Sequence, residues 1–215
     1  MPDLQFKVTQ ASAVADSASP LLAFRLEVEN IGGEPIHTVV LRCQIQIEAT
    51  RRRYGPVDQQ RLRDLFGEPE RWSQTLRTML WTHSQVVIPS FSGNTVCDLL
   101  VPCTFDFNVA ATKYFAALQT EDVPLFLTFS GSVFYQGPEG ALQVSPISWN
   151  KEARFRLPLD VWRAMMELYY PNTAWLCIRK DVFDRLHEYK MLRSIPTWEE
   201  TFERLMATVE EALAQ

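Results

Sequence analysis

Three histidines and four cysteines are the residues of this chain best suited to hold a metal or to act as nucleophiles. His37, His83 and His187 fall in different segments, and none belongs to an H-E-x-x-H or C-x-x-C cluster. His37 is in phase with an apolar strand face, which predicts a structural histidine rather than a ligand. Cys97 and Cys103 would come near each other if the chain turned at Pro102, and His83 with Asp98 or Asp106 would have to complete a metal site. Structural zinc pairs sit two to four residues apart, so this wider spacing argues against one. Glycine-rich phosphate loops and the G-x-S-x-G nucleophile elbow are missing from the sequence. The expectation is a chain with no catalytic residue, no metal ligand and no cofactor; an enzyme using Cys97 or Cys103 is the least favoured alternative.

Arginine is the more suggestive residue. Between Arg42 and Arg77 there are eight arginines against Glu48, Asp58, Asp64, Glu68 and Glu70, so that segment is +3 within a chain of net charge -5. Arg51, Arg52, Arg53 and Tyr54 are consecutive, and Arg61, Arg71 and Trp72 follow closely. Arginine forks bind carboxylates bidentately and stack on aromatic faces, which suits a protein interface better than diffuse phosphate binding. These seven residues are the candidate partner-binding set. The competing reading pairs the arginines with Asp58, Asp64 and Glu70 inside the domain. The six tryptophans are assigned mostly to packing, because Trp162 and Trp198 lie in helical core stripes.

The elements that must position these residues change character along the chain. Leu22, Phe24, Leu26 and Val28 alternate with Ala23, Arg25, Glu27 and Glu29, as a half-buried strand requires. After the turn cluster at 30–35, His37, Val39, Leu41, Cys43, Ile45 and Ile47 line one face of a second strand, predicted to pair with the first. Further strands are expected at 85–91, 95–101, 123–135, 141–147 and 153–157, with a hairpin tip at Gly137-Pro138-Glu139-Gly140. Gly131, alone within a strand, marks a bulge or a close sheet approach. Short helices are expected at 58–66, stopped by Gly67, at 70–80 with Trp72, Leu76, Met79 and Leu80 on one face, and at 109–118.

From Pro158 the apolar period becomes 3.6. Trp162, Met165, Met166 and Tyr169 form one stripe, Val182, Leu186 and Tyr189 a second, and Trp198, Phe202, Leu205, Val209 and Leu213 a third, opened by a Thr197/Glu200 capping box. The fold class is therefore α+β: an antiparallel immunoglobulin-like β-sandwich over 1–157, with helical insertions near 57–80 and 109–118, and a C-terminal helical appendage over 158–215 packed on it.

At 215 residues, 47% hydrophobic and 22% charged, the chain can bury a core, which excludes a disordered tail or a disulfide miniprotein. Its acidic balance argues against nucleic acid. The N-terminus lacks a basic and then apolar leader, and no apolar run approaches the roughly 20 residues that span a bilayer. Four scattered cysteines suit a reducing compartment, so a cytoplasmic protein is expected.

Arg51-Arg52-Arg53-Tyr54, Leu65-Phe66-Gly67-Glu68 with Arg71-Trp72, Val101-Pro102-Cys103-Thr104-Phe105-Asp106-Phe107, Phe129 to Tyr135, Leu157 to Trp162 and Pro196-Thr197-Trp198 together resemble an uncharacterised bacterial protein family over nearly the full length. Members of that family tend to be encoded beside nickel–iron hydrogenase genes, and the resemblance implies an accessory or assembly role. The expected function is a non-catalytic protein that binds a larger partner, such as a hydrogenase subunit or maturation factor. The alternative is a small-ligand-binding β-sandwich.

Overall fold

A computed structural model describes residues 2–105, 108–137, 140–174 and 176–213. Strands β1 (Leu4–Ala13), β2 (Leu21–Asn30), β3 (Ile36–Ile47), β4 (Met79–Ile88), β5 (Asn94–Pro102), β6 (Val123–Gln136), β7 (Leu142–Pro146) and β8 (Glu152–Leu157) make two antiparallel sheets. One has the order β1-β2-β5. The other runs β4-β3-β6, with β8 paired along Val123–Thr128 of β6 and β7 along Ser132–Gln136, end to end on the same edge. The fold is thus α+β with antiparallel sheets.

Alternation decides which faces meet. Leu22, Phe24, Leu26 and Val28 of β2 and Val39, Leu41, Ile45 and Ile47 of β3 are fully buried, while the positions between them, among them Arg25, Glu27, Glu29 and Arg42, face outward. Rings close the gap between the sheets. Phe6 of β1 stacks on Phe129 of β6 at 4.4 Å, and Phe24 of β2 meets Trp81 of β4 and Phe155 of β8 edge-on.

Two strand expectations are corrected. β2 and β3 do not pair: β2 lies between β1 and β5, and β3 between β4 and β6. The connection at 31–35 crosses from one sheet to the other, and Asn30 braces it by accepting from the Gly32 N–H and donating to the Glu34 carbonyl. His37 is exposed, because the β3–β6 register shifts between Ile36 and Thr38, so that Ile36 takes the inward place.

Helices fill the connections. α1 (Pro56–Arg61), α2 (Arg63–Phe66) and α3 (Trp72–Thr75) lie between β3 and β4. Gly67 ends α2 at φ +72, a conformation glycine adopts without strain. The helix expected to reach residue 80 stops at Thr75, and Met79 and Leu80 open β4 instead, where Met79 pairs with Ile47 across the sheet. α4 (Val109–Ala117) is capped by Asn108, whose side chain accepts from the Ala111 N–H at 3.0 Å. Pro138 and Glu139 of the expected hairpin tip lie outside the described residues, as do Asp106, Phe107 and Trp175.

The chain divides into two compact units, Met1–Thr173 and Ala174–Gln215. The division falls after α5 (Leu159–Tyr169) rather than at the change of period near Pro158. α5 belongs to the first unit because its stripe is buried there: Trp162 stacks on Phe115 at 5.3 Å, and the Tyr169 hydroxyl donates to the Val14 carbonyl at 2.6 Å. The second unit holds α6 (Lys180–Leu192) and α7 (Trp198–Leu213). Thr197 caps α7, accepting the Glu200 N–H at 3.1 Å, while the Glu200 carboxylate pairs with Arg204 one turn on.

Candidate functional site

The arginine-rich segment resolves into an internal cluster and an exposed fringe. Arg52 points inward, its side chain only 1% exposed. Its Nη1 donates to Asp58 at 3.1 Å and its Nη2 to the Thr120 carbonyl, and the guanidinium lies 5.3 Å from the centre of the Tyr54 ring. Asp58 uses its other oxygen to accept the Gln119 N–H at 3.0 Å. This pair ties the β3–α1 connection to the chain leaving α4.

The aromatic residues beside it are also engaged within the fold. Tyr54 donates its hydroxyl to the Ala49 carbonyl at 2.7 Å and accepts from the Tyr114 hydroxyl at 2.8 Å. Burial pushes both phenols upward from their ordinary range. Trp72 packs edge-on against Tyr54 and Phe66 and donates its indole N–H to Gly67. Of the seven candidate residues, Arg51, Arg53, Arg61 and Arg71 keep exposed side chains, and Arg51 is paired with Glu48 at 3.1 Å. The structure brings together Arg52, Tyr54 and Trp72, and it does so as part of the core's wall. Asp64, one of the acids expected to pair with these arginines, pairs with Lys113 instead.

The thiols are poorly placed for nucleophilic work. Burial raises Cys43 and Cys103 to about 12 and Cys97 to about 11, so all three are neutral thiols at ordinary pH. Among the described residues, no three His, Cys, Asp or Glu side chains gather closely enough to hold a metal ion. Nor is any described helix long and apolar enough to cross a membrane.

Two surfaces carry more than a solvated exterior needs. The first is the outer face of the β4-β3-β6 sheet. Register pairs Arg42 with Gln85 and Ser130, and Gln44 with His83 and Thr128, so six polar side chains project together in two rows. They floor a shallow depression of about 730 Å³ walled by Trp149, which is 93% exposed. The second is the α6–α7 unit. Trp198 holds the helices together through Phe183 at 5.2 Å and His187 at 6.2 Å, yet no residue of α6 is buried. Phe183, Met191, Leu192, Met206, Val209 and Leu213 are exposed, the last at 82%. Of these, the helical period places Val209 and Leu213 on the predicted α7 stripe, while Phe183, Met191, Leu192 and Met206 lie outside the predicted stripes, and nothing in the sequence says that any of them stays open. Sequence spacing does not single out Trp149 among the six tryptophans; its polar setting, Ser148-Trp149-Asn150 between two strands, is the signal that sets it apart.

The molecule is therefore a two-sheet antiparallel β protein with helical additions, whose distinguishing surfaces are an aromatic-walled polar floor and an open helical stripe. The chain belongs to the family of unknown function DUF6084, whose model matches residues 1–214. No curated protein matches it. Among solved structures it is similar to the CARDB domain of a Pyrococcus furiosus protein, a complex with di-metal ions, at 14% identity over 73% of this chain and 87% of that one, with a TM-score of 0.28. A putative late embryogenesis abundant protein matches at 14% identity over 74% and 73%, with a TM-score of 0.31. A β-glucosidase from Kluyveromyces marxianus matches at 10% identity over 72% of this chain and 15% of that one, with a TM-score of 0.27. Scores this low carry no argument about activity.

Proposed function

We propose that this chain is a non-catalytic accessory or assembly protein of the cytoplasm that binds a larger protein partner through its α6–α7 face. The observation that carries the reading is the open stripe. Phe183, Met191 and Leu192 of α6 and Met206, Val209 and Leu213 of α7 are left exposed, and apolar surface gathered on one pair of helices costs solubility unless a partner covers it. A partner helix with its own apolar stripe would complete a helical layer there. The exposed Arg53, Arg61 and Arg71 of the first unit are separately suited to carboxylates of a protein partner. The family resemblance, with members encoded beside nickel–iron hydrogenase genes, makes a hydrogenase subunit or maturation factor the partner to try first.

The sheets are, in this reading, of immunoglobulin-like type. Support comes from the strand order, β1-β2-β5 against β4-β3-β6-β7, which places the fourth strand beside the third as variable-type sandwiches do.

The test is co-expression of the full chain with each hydrogenase component of its host. Co-purification of one component, lost in Met206→Glu/Val209→Glu while the thermal unfolding temperature is unchanged, is the expected result. Retention of the component by that double variant, or failure of every component to co-purify with the native chain, would overturn the reading.

A further inference from the structure

We infer that the depression on the outer β4-β3-β6 face is a binding site for a sugar acid, a pyranose ring bearing a carboxylate. The inference is independent of the helical docking face. Three properties of the floor lead to it. The first is an available aromatic plane. Trp149 lies in the excursion between β7 and β8, pinned at its two ends by the Ile147 N–H to Gly131 and the Phe129 N–H to Lys151, both at 2.9 Å. Its indole walls the depression while remaining 93% exposed, so it contributes little to the core. An indole held in water beside polar groups offers a flat face to the C–H side of a sugar ring.

The second property is unspent hydrogen bonding. Arg42, Gln44, His83 and Gln85 make no side-chain hydrogen bond or ion pair to another described residue. Two amides, a guanidinium and an imidazole in adjacent rows supply both donors and acceptors, with the Thr128 and Ser130 hydroxyls alongside. Vicinal hydroxyls, each a donor and an acceptor, match such a floor better than a purely apolar ligand does.

The third property is charge. Arg42 is the formal charge of the lining, and no carboxylate lines the depression. Glu152, opposite Thr128 in the sheet, is already paired with Arg154. A guanidinium fork with no internal partner selects a carboxylate, which is what separates a sugar acid from a neutral sugar here. Gly131 gives the floor its shape: a Cβ there would stand 2.0 Å from the Val40 carbonyl, so only glycine lets β6 approach β3 beside Ser130.

The experiment follows the indole N–H signals of the full chain by ¹H–¹⁵N NMR, with Trp149 assigned by its loss in Trp149→Ala. Digalacturonate, neutral cellobiose and benzoate are titrated separately. The proposal expects saturable shifts of the Trp149 signal with digalacturonate, and affinity at least about tenfold weaker for cellobiose and for Arg42→Gln. Calorimetry should show the same loss in Trp149→Ala, whose unfolding temperature should match the native chain. No binding of digalacturonate, equal binding of cellobiose, tighter binding of benzoate, or binding indifferent to Arg42 and Trp149 would each overturn it.

Discussion

Replacing Arg52 by methionine should destabilise the first unit by about 3 kcal/mol, although the residue belongs to what the sequence reads as a surface cluster. The guanidinium is within hydrogen-bond distance of Asp58, at 3.1 Å, and both side chains are nearly sealed, at 1% and 8% exposure. Methionine fills most of the volume but leaves the Asp58 carboxylate with the single Gln119 N–H, and strips the Thr120 carbonyl of its donor. Leaving one charge of a buried pair uncompensated costs about 3–5 kcal/mol. The buried Arg52 Nε, which has no hydrogen-bond partner, is removed at the same time, so the lower end of that range applies. For a unit of this size, 3 kcal/mol lowers Tm by roughly 6–12 °C. Circular dichroism melts of the native chain, Arg52→Met, Asp58→Leu and the double variant form a cycle. The double variant should recover most of the loss, because an apolar pair of similar volume substitutes for a buried ion pair at little cost. An Arg52→Met melt within 1 °C of native, or strictly additive losses, would refute the internal-pair account.

Other outcomes follow from the same packing. Gly131→Ala should lower stability by about 2 kcal/mol or more, since the added carbon collides with the Val40 carbonyl and φ is +137; a urea titration checks it. Tyr54→Phe should cost about 1–3 kcal/mol by leaving the fully buried Tyr114 hydroxyl without its acceptor, measurable in the same way. Burial raises the Cys43 and Cys103 thiols from near 9 to about 12, so the unfolded chain releases these protons first. Their stabilising contribution is complete below pH 9 and declines between about pH 9 and 12, a loss that Cys43→Ala/Cys103→Ala should reduce in alkaline melts. In the native state a thiol reagent at pH 8 should label the exposed Cys177 well before the buried pair.

Much of this architecture was legible because burial follows period. The β2 and β3 faces, the α5 stripe and the cap of α7 are all readable from spacing alone. What spacing cannot supply is partnership between strands. β2 and β3 read as a hairpin because a turn cluster joins them, but alternation fixes only which side of a strand is apolar, and the five-residue connection is long enough to change sheets. His37 failed for a related reason, since a single bulge reverses phase. The arginine run was legible as a cluster, yet sequence cannot tell an arginine that pairs inward across six residues from one that faces solvent. Arg52 and Arg53 are adjacent and opposite in fate. The polar floor under Trp149 draws on β3, β4, β6 and the β7–β8 loop, so no local pattern announces it.

The central claim, that this chain acts by contact through its second unit, is tested most directly by amide hydrogen exchange of the full chain alone and co-purified with a host hydrogenase component. Slowed exchange concentrated in Phe183–Leu192 and Met206–Leu213 is the predicted result. Unchanged exchange in both segments, with protection arising elsewhere, would contradict it.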